Sequence, residues 1–481
     1  MGMGSRVSTC KLLGLIAIFV VSSYHLYMSL GSINSSFNAD LSVEGVEKAF
    51  DYVLVPVKND TGVLCYVNIR CEYEVGLRFL DNSTVASVDW SELVFSTLVL
   101  SNSTAFNGHF QYIADSNGVG NYKIEFTPRT YGMHDIMPRL LYSNRTAALN
   151  PSDLRQTSAH GGDANSKYLG LLPSNKILEV MVLAANVSHQ ENVLTTECLR
   201  NNTDDTTGHW VIQPNGGSQC VGRTVFSYDK QFNMKECETY DRPCRPLWHN
   251  AECDYPTLSS SLVTACLSRW NIHMFGDSVT RQMVSSLGHA FPSTVRSLQA
   301  NETSLYPWEG YSNPRKMEFP KLFNETSRTA LLALIGDKRW RTDRDVVVFN
   351  AGLHDVAFST AEEYASYLPV VLEAMIAANF KHLIFRMTTS IHPHMIPGGP
   401  IDKHWKFTTV RVEEFNNIAI KAIKTLNKLN YGSTKTRIAI INADKMTASR
   451  SDGVLFQDMR HFCPILMLEM WSVLFHKICD T

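Results

Sequence analysis

From about residue 268 to the C-terminus, short apolar runs alternate with helical patterns, and this alternation restricts the possible folds more than any other feature of the chain. Runs with the length and composition of buried strands lie at 271–275, 345–349, 382–385 and 437–441. Over 411–430, apolar residues recur at three- and four-residue steps, which predicts an amphipathic helix. Strands that alternate with helices predict an α/β fold, in which helices cover both faces of a parallel sheet.

An earlier segment, from about 48 to 145, has the two-residue alternation of β-strands. Turn-forming residues at 115–118 precede an alternating stretch that contains Tyr122, Ile124 and Phe126. The run 120–128, followed by 132–136, resembles the final hairpin of filamin-type immunoglobulin-like repeats and also the neurexophilin-like segment of some secreted proteins. The resemblance implies an all-β immunoglobulin- or filamin-like module that binds or spaces, and an unrelated β-sandwich is the alternative.

The N-terminal segment has the pattern of a membrane anchor. Arg6 and Lys11 precede an apolar stretch at 12–30, and this positive flank favours a cytoplasmic N-terminus. About 20 apolar residues can cross a bilayer, so we expect an uncleaved signal anchor with the rest of the chain in the secretory pathway. A cleaved signal peptide built on 12–21 is the alternative, and it would give a secreted protein.

The cysteines agree with an exported chain. Cys10 precedes the apolar stretch, and the other ten of the 11 cysteines form an even set, as expected for disulfides. Six of these lie between 198 and 266, which predicts a loop-rich segment held by disulfides. The spacing contains no paired C-x-x-C motif, so a zinc site is not expected. Spacing leaves the pairing open, although Cys463 and Cys479 could join the C-terminus to that segment.

The N-glycosylation sequons support a chain in the secretory pathway, and the net charge argues against one class of partner. Asn-x-Ser/Thr sequons begin at nine positions between Asn34 and Asn324, and none lies beyond 330. A formal net charge of −2 argues against nucleic-acid binding.

We expect a cytoplasmic tail at 1–11, a signal anchor at 12–30, the β module at 48–145, a polar linker at 146–175, a cysteine-rich segment at 176–267 and a catalytic domain at 268–481.

The sequence Gly276-Asp277-Ser278 follows a predicted strand and precedes a predicted helix. A serine at such a turn lies at a helix N-terminus, where unpaired backbone N–H groups point outward. Its own N–H could stabilise an oxyanion while its hydroxyl attacks a carbonyl group. We expect Asp277 to order the turn rather than to react, and an isolated Gly-Asp-Ser is more often a plain N-cap turn.

Near the C-terminus, Asp458 and His461 are three residues apart, a spacing that places two side chains on one face of a helical turn. The Asp458 carboxylate could hold the imidazole in the tautomer that accepts a proton from a serine. In isolation such a pair is more often an ordinary helix-face pair. Between the two blocks, 350–355 closes the strand at 346–349 and could add an oxyanion donor, and a turn capped by Asp355 is the alternative.

Another cluster, His392, His394 and His404, could suggest a metal site. The neighbouring run 397–400 is Pro-Gly-Gly-Pro, so we expect an exposed turn there instead.

Together the blocks resemble the GDSL/SGNH hydrolase superfamily and, within it, the PC-esterase branch, which includes the trichome-birefringence-like proteins and the neurexophilin and PC-esterase domain proteins. The resemblance covers about 195–481. Its matching residues are Gly208-His209-Trp210-Val211, Trp248, Cys253, Cys266-Leu267, Phe275 to Gln282, Asn350-Ala351-Gly352 and Asp458-x-x-His461. It implies an SGNH-type, flavodoxin-like parallel sheet sandwiched by helices.

The resemblance also implies roles for the site residues. Ser278 would be the nucleophile, His461 the general base and Asp458 its orienting partner. Many SGNH enzymes carry Gly-x-Asn in the third block, whereas this chain carries Gly352-Leu353-His354. The candidate oxyanion donors are therefore Ser278, Gly352, His354 and Asn350.

The expected function is lumenal transfer of an acyl group, in the first place acetyl, to a glycan or polysaccharide in the Golgi by a single-pass type II membrane protein. We expect an O-acetyltransferase rather than an O-acetylesterase, with no bound cofactor or metal. The acetyl donor would be acetyl-CoA or an acetylated carrier supplied by another protein. The alternative function is that of an inactive secreted or anchored binding glycoprotein.

Overall fold

The structure is a computed structural model in which residues 50–481 form one compact unit. It describes residues 52–56, 65–79, 89–113, 120–142, 144–149, 168–171, 178–184, 196–197, 208–214, 244–250, 253–255, 257–295, 315–318, 322–336, 343–393, 406–430, 436–450, 453–455 and 458–479. The tail and anchor expected at 1–30 lie outside these residues. Of the helices that are described, none combines the length and apolarity needed to cross a bilayer.

The N-terminal half is built mainly of strands. Their bounds are β1 Tyr52–Pro56, β2 Cys65–Tyr66, β3 Cys71–Phe79, β4 Val94–Leu100, β5 Thr104–Ile113, β6 Gly120–Phe126, β7 Gly132–Tyr142, β8 Tyr168–Leu171, β9 Leu178–Leu183, β10 Thr196–Glu197, β11 Gly208–Pro214, β12 Cys244–Asn250 and β13 Cys253–Asp254. All except β10 and β13 belong to one mixed sheet, in which the order β1-β3-β6-β5-β4-β7-β9-β2 forms the main path.

Alternation of buried and half-buried residues gives this sheet its apolar face. In β6, Tyr122, Ile124 and Phe126 are buried while their neighbours are half-buried, which confirms the pattern expected from the sequence. The strand β8 lies in the range expected to be a linker, and β9, β11 and β12 lie in the range expected to be a cysteine-rich segment. They join the same sheet because β8 and β9 pair with β7, β11 pairs with β5, and β12 pairs in turn with β11.

The C-terminal half contains the α/β fold that the sequence predicts. Its strands are β14 Asn271–Gly276, β15 Arg315–Glu318, β16 Asp345–Phe349, β17 His382–Arg386 and β18 Ile438–Ile441. All pair in parallel in the order β15-β14-β16-β17-β18, which is 2-1-3-4-5 in order of appearance. The sequence predicted each of these strands except β15, whose Arg-Lys-Met-Glu sequence is polar because it forms the edge of the sheet.

Helices connect and cover the strands. Their bounds are α1 Arg145–Leu149, α2 Ser260–Arg269, α3 Ser278–Ala290, α4 Glu325–Gly336, α5 Leu353–Phe358, α6 Ala361–Ala378, α7 Thr409–Leu429, α8 Ala443–Ala448 and α9 Pro464–Ile478. The helix predicted over 411–430 is confirmed as α7, whose apolar stripe is buried. Every residue of β16 is buried, so helices cover both faces of the sheet.

Disulfides and side-chain contacts link the parts of the described chain. Cys65 pairs with Cys71, and Cys266 in α2 pairs with Cys479 at the end of α9. The second bridge confirms the expectation that Cys479 joins the C-terminus to the cysteine-rich segment. The Trp210 indole of β11 donates a 2.8 Å hydrogen bond to the Met446 carbonyl of α8, which fastens the large sheet to the α/β part.

Candidate active site

Ser278 is the first residue of α3 and directly follows the central strand β14 and its N-cap, Asp277. In a sheet of order 2-1-3-4-5, the chain leaves β14 and β16 in opposite directions, and ligands bind at the carboxyl ends of strands at this switch point. The turn 350–352 follows β16 at the same edge. The fold therefore brings the serine block and the third block together.

The structure brings Ser278, His461 and Asp458 into one hydrogen-bonded chain. The Ser278 Oγ and His461 Nε2 atoms are 2.6 Å apart, and the His461 Nδ1 and Asp458 Oδ2 atoms are also 2.6 Å apart. A carboxylate can only accept, so Nδ1 carries the proton and Nε2 presents its lone pair to the serine hydroxyl. The His461 and Asp458 side chains are 20% and 27% exposed, so the site is open to solvent.

The Asp458 and His461 pair lies in a turn rather than on a helix face. One carboxylate oxygen, Oδ1, accepts hydrogen bonds from the backbone N–H groups of Met459, Arg460 and His461 at 2.7, 2.8 and 3.2 Å. The other oxygen, Oδ2, is left for the imidazole. The expectation of a helical turn is therefore corrected: the three-residue spacing works because the aspartate closes its own turn.

Electrostatics keep Asp458 ionised. Burial by itself would raise the pKa of this carboxyl, but the hydrogen bond and charge of His461, together with the Arg460 N–H and charge, lower that pKa well below its usual range. Asp458 therefore carries a full negative charge at neutral and mildly acidic pH, as an orienting partner for an imidazole requires.

Asp277 orders the serine turn, as the sequence predicts. Its buried carboxylate accepts from the N–H groups of Val279 at 3.0 Å and Thr280 at 3.3 Å, which caps α3. Its second oxygen accepts from Leu353 N at 3.2 Å and so fixes the start of α5 beside the serine turn. The Arg386 guanidinium at the end of β17 lies 3.4 Å from the same carboxylate.

Arg386 is a buried residue that sequence reasoning missed. One of its nitrogens, Nη2, donates to Thr280 Oγ1 at 3.0 Å as well as facing Asp277. It ends an apolar strand, and nothing in the local pattern distinguishes it from a surface charge. Only its position beneath the N-terminus of α3 shows that it neutralises a buried carboxylate.

The candidate oxyanion donors differ in availability. Among the described residues, the backbone N–H groups of Ser278 and Gly352 have no hydrogen-bond acceptor. The Asn350 amide is already used inside the fold, since its Nδ2 donates to the Arg386 carbonyl at 2.9 Å. His354 is half-buried at the second residue of α5.

At Gly352, a Cβ atom would collide with two neighbouring side chains. A Cβ atom there would lie 2.4 Å from Asn350 Oδ1 and 2.9 Å from Thr388 Oγ1. Alanine at this position would therefore force the Asn350 and Thr388 side chains, or the turn itself, to shift.

His392 is buried, whereas the turn expected to be exposed at 397–400 lies outside the described residues. The His392 ring packs edge-on against Phe462, and its Nε2 lies 2.9 Å from the Thr447 carbonyl. Burial lowers the pKa of His392 to about 4, and its backbone N–H donates to Met459 O at 2.7 Å. This histidine thus supports the Asp458 turn, while His394 and His404 lie outside the described residues.

Gln282 is a second residue whose role the sequence did not reveal. It lies one turn after Ser278 in α3, and its amide forms two hydrogen bonds with the backbone of Phe462, the residue that follows His461. The same loop is held from its other side, where Leu455 N donates to His461 O at 2.9 Å and Cys463 N donates to Gly453 O at 2.7 Å.

Comparison with known proteins adds little. No protein-family model matches the chain, and no curated protein matches it. One solved structure that is similar over 80% of this chain is named a "putative glycoside hydrolase" from Bacteroides vulgatus ATCC 8482, with 10% sequence identity and a TM-score of 0.16. The chain spans 58% of that protein's length. At this TM-score the similarity supports no inference about fold or activity.

Proposed function

We propose that this chain is a serine-dependent acyltransferase of the SGNH type that moves an acetyl group onto glycan hydroxyls. The observation that carries the proposal is the chain of 2.6 Å hydrogen bonds from Ser278 through His461 to Asp458. Its place at the carboxyl edge of a parallel sheet, at the start of a helix, suits nucleophilic acyl transfer. The 2-1-3-4-5 order supports a flavodoxin-like catalytic domain of this type.

In the first half-reaction, Ser278 Oγ attacks the acyl carbonyl while His461 Nε2 takes the hydroxyl proton. The negative charge that develops on the carbonyl oxygen is stabilised by the unpaired N–H groups of Ser278 and Gly352. The tetrahedral intermediate collapses to an acyl ester on Ser278. His461 returns the proton to the departing thiolate or alkoxide of the donor.

In the second half-reaction, an acceptor hydroxyl enters where the donor group left. His461 removes its proton, the acceptor oxygen attacks the acyl ester, and Ser278 leaves with the proton that His461 gives back. A sugar hydroxyl as acceptor makes the enzyme a transferase, and water makes it an esterase. We favour the transferase on the family resemblance.

The proposed setting follows from the sequence. The N-terminal segment would anchor a type II protein in the Golgi membrane and place the site in the lumen, and a cleaved signal peptide would instead give a secreted enzyme. The mostly antiparallel sheet in front would be a filamin-like module. Acetyl-CoA or an acetylated carrier, supplied by another protein, would be the donor.

A fluorophosphonate probe tests the nucleophile directly, because it phosphonylates activated serines. We expect the parent protein to be labelled and Ser278→Ala and His461→Ala to stay unlabelled, with all three equally folded by thermal unfolding. Acetate release and acetyl transfer on acetylated glycans, measured for the same variants, then identify the acceptor. A folded parent protein that takes no label at Ser278 would contradict the proposal and favour an inactive binding glycoprotein.

A further inference from the structure

The two halves of the candidate site come from distant parts of the chain. Ser278 lies on α3, whereas His461 lies on the turn before α9, 183 residues later. Nothing in the turn itself sets its distance from α3, because the Asp458 bonds are internal to the turn. Some contact between α3 and the turn must hold the imidazole at the serine.

Gln282 makes a direct contact of this kind, while the Trp471 indole of α9 donates a 2.7 Å hydrogen bond to the Met283 carbonyl of α3 farther along both helices. It follows Ser278 by four residues, so both side chains project from the same face of α3. Its Nε2 donates to the Phe462 carbonyl at 2.9 Å, and its Oε1 accepts from the Phe462 N–H at 3.1 Å. The amide therefore binds both backbone polar groups of the residue next to His461.

The chemistry of the amide explains why glutamine suits this position. Two simultaneous bonds, one donated and one accepted, restrain the turn in two directions, whereas a single bond leaves it free to pivot. Glutamate has no N–H to offer Phe462 O, and methionine, although similar in length, offers neither a strong donor nor a strong acceptor. Asparagine is one methylene shorter.

We propose that Gln282 is a positioning residue that sets the distance between Ser278 Oγ and His461 Nε2. The proposal rests on the function proposed above, in which that distance governs proton transfer. Reacting groups tolerate about 0.5 Å of displacement, and an error near 1 Å can lower a rate by about 100-fold. The Gln282 amide bonds the backbone of Phe462 rather than Ser278 or His461, so it acts through that backbone.

The test compares the full-length chain with Gln282→Met and Gln282→Glu by the kinetics of fluorophosphonate labelling. Because the cleft is unchanged, Gln282→Met should keep the parent's probe affinity and lose about 10- to 100-fold in the maximal labelling rate. A rate equal to that of the parent, or a loss confined to probe affinity, would overturn the proposal.

Gln282→Glu adds a readout that a simple packing role would not move. Ionised, the carboxylate repels Phe462 O, but the protonated acid has an O–H donor and a C=O acceptor and restores both bonds. The ratio of the variant's labelling rate to the parent's should therefore rise as pH falls through the titration of the new carboxyl. Exposed Ser285 lies in the same helix, so Ser285→Glu is the matched control.

The control should give a flat ratio near one. A flat ratio for Gln282→Glu as well would overturn the proposal. Crystal structures of the parent and of Gln282→Met provide a readout without activity: the separation of Ser278 Oγ and His461 Nε2 should exceed 3.5 Å in the variant. An unchanged separation refutes the positioning role. An unlabelled parent protein refutes the proposed function instead, and the crystallographic comparison still decides the role of Gln282.

Discussion

At the residue scale, the chemistry of the site depends on which nitrogen of His461 carries the proton. The lowered pKa of Asp458 keeps its carboxylate charged, and the 2.6 Å contact with Nδ1 then holds the proton on that nitrogen. Nε2 is left unprotonated opposite Ser278 Oγ. Backbone hydrogen bonds to Asp458 Oδ1 shape the turn that carries His461, and the negative charge of the same carboxylate sets the tautomer of the imidazole.

Asp458→Asn should therefore abolish most of the reactivity of Ser278. The amide is neutral and can donate to Nδ1, which places the imidazole proton on the wrong nitrogen and lowers the labelling rate by about 10⁴-fold. Labelling kinetics measure the loss. Exposed Asp343, in the turn before β16, provides the matched control, and Asp343→Asn should label at the parent's rate. A rate for Asp458→Asn within tenfold of the parent's would show that the carboxylate does not orient the base.

Asp355 is a buried residue whose carboxyl group makes the free energy of unfolding depend on pH. Burial raises its pKa to about 7, although the Tyr367 hydroxyl, 2.8 Å away, and the Phe323 N–H, 2.9 Å away, oppose the shift. The unfolded chain has an ordinary carboxyl pKa near ~3.9. Between about pH 4 and pH 7, the folded protein therefore binds more protons than the unfolded chain, and the free energy of unfolding falls as pH rises.

Asp355→Asn should remove this pH dependence. The parent's free energy of unfolding should fall by a few kcal/mol, at roughly 1.4 kcal/mol per unit of pKa shift, between about pH 4 and pH 7, relative to the variant. Urea unfolding at several pH values measures both proteins. Since other titrating groups cancel in the comparison, parallel pH curves would contradict the assignment.

At the scale of the element, the site is made by turns that join a strand to a helix. Asp277 caps α3 and reaches the first N–H of α5, so one carboxylate joins the turns after β14 and β16. Gly276, at the end of β14, lies where the two turns approach each other, since a Cβ atom there would lie 2.2 Å from Thr280 Oγ1 and 3.3 Å from Asn350 Cβ. The two unpaired N–H groups proposed as the oxyanion hole depend on this approach.

Gly352→Ala tests how tightly the turn after β16 is packed. Its Cβ would meet Asn350 and Thr388, so the turn must shift, at a cost of about 1–3 kcal/mol in the free energy of unfolding and with a loss of labelling. Gly288 in α3 has open space around the same atom, so Gly288→Ala should stabilise the protein by up to about 1 kcal/mol. Urea unfolding measures the free energy of unfolding of both variants. Equal effects of both substitutions would show that Gly352 is not sterically required.

At the scale of the whole molecule, a disulfide joins α2 to α9, two helices at opposite ends of the sequence of the C-terminal half. The Cys266 to Cys479 bridge closes a loop of 213 residues, whereas the Cys65 to Cys71 bridge closes one of six. The long bridge holds the end of α9, and α9 begins next to the His461 turn. In the chain-entropy model, a cross-link stabilises more when its loop is longer.

Removing the long bridge should therefore be more damaging than removing the short one. We expect Cys266→Ala with Cys479→Ala to lower the free energy of unfolding by about 5 kcal/mol, against about 2 kcal/mol for Cys65→Ala with Cys71→Ala. Urea unfolding under non-reducing conditions measures both pairs. A larger loss from the short bridge would contradict an origin in loop length.

Local sequence patterns identified a good part of this architecture. The apolar runs of β14, β16, β17 and β18 and the stripe of α7 are visible because burial repeats with the period of the element itself. Residue type, motif spacing and the family resemblance singled out Ser278, His461 and Asp458 as candidates, and the structure brings these three side chains together. The polar edge strand β15 could not, because its partner rather than its composition makes it a strand.

The sequence by itself determined which side chains could react and which segments would be buried, since both depend on residue type and on spacing within one segment. Only the tertiary structure decided which backbone groups remain unpaired and which distant side chains hold the site. Gln282 meets Phe462 across 180 residues, and Arg386 meets Asp277 across 109. Such contacts depend on how distant elements pack against each other, and the periodicity of residues within one segment carries no information about that packing.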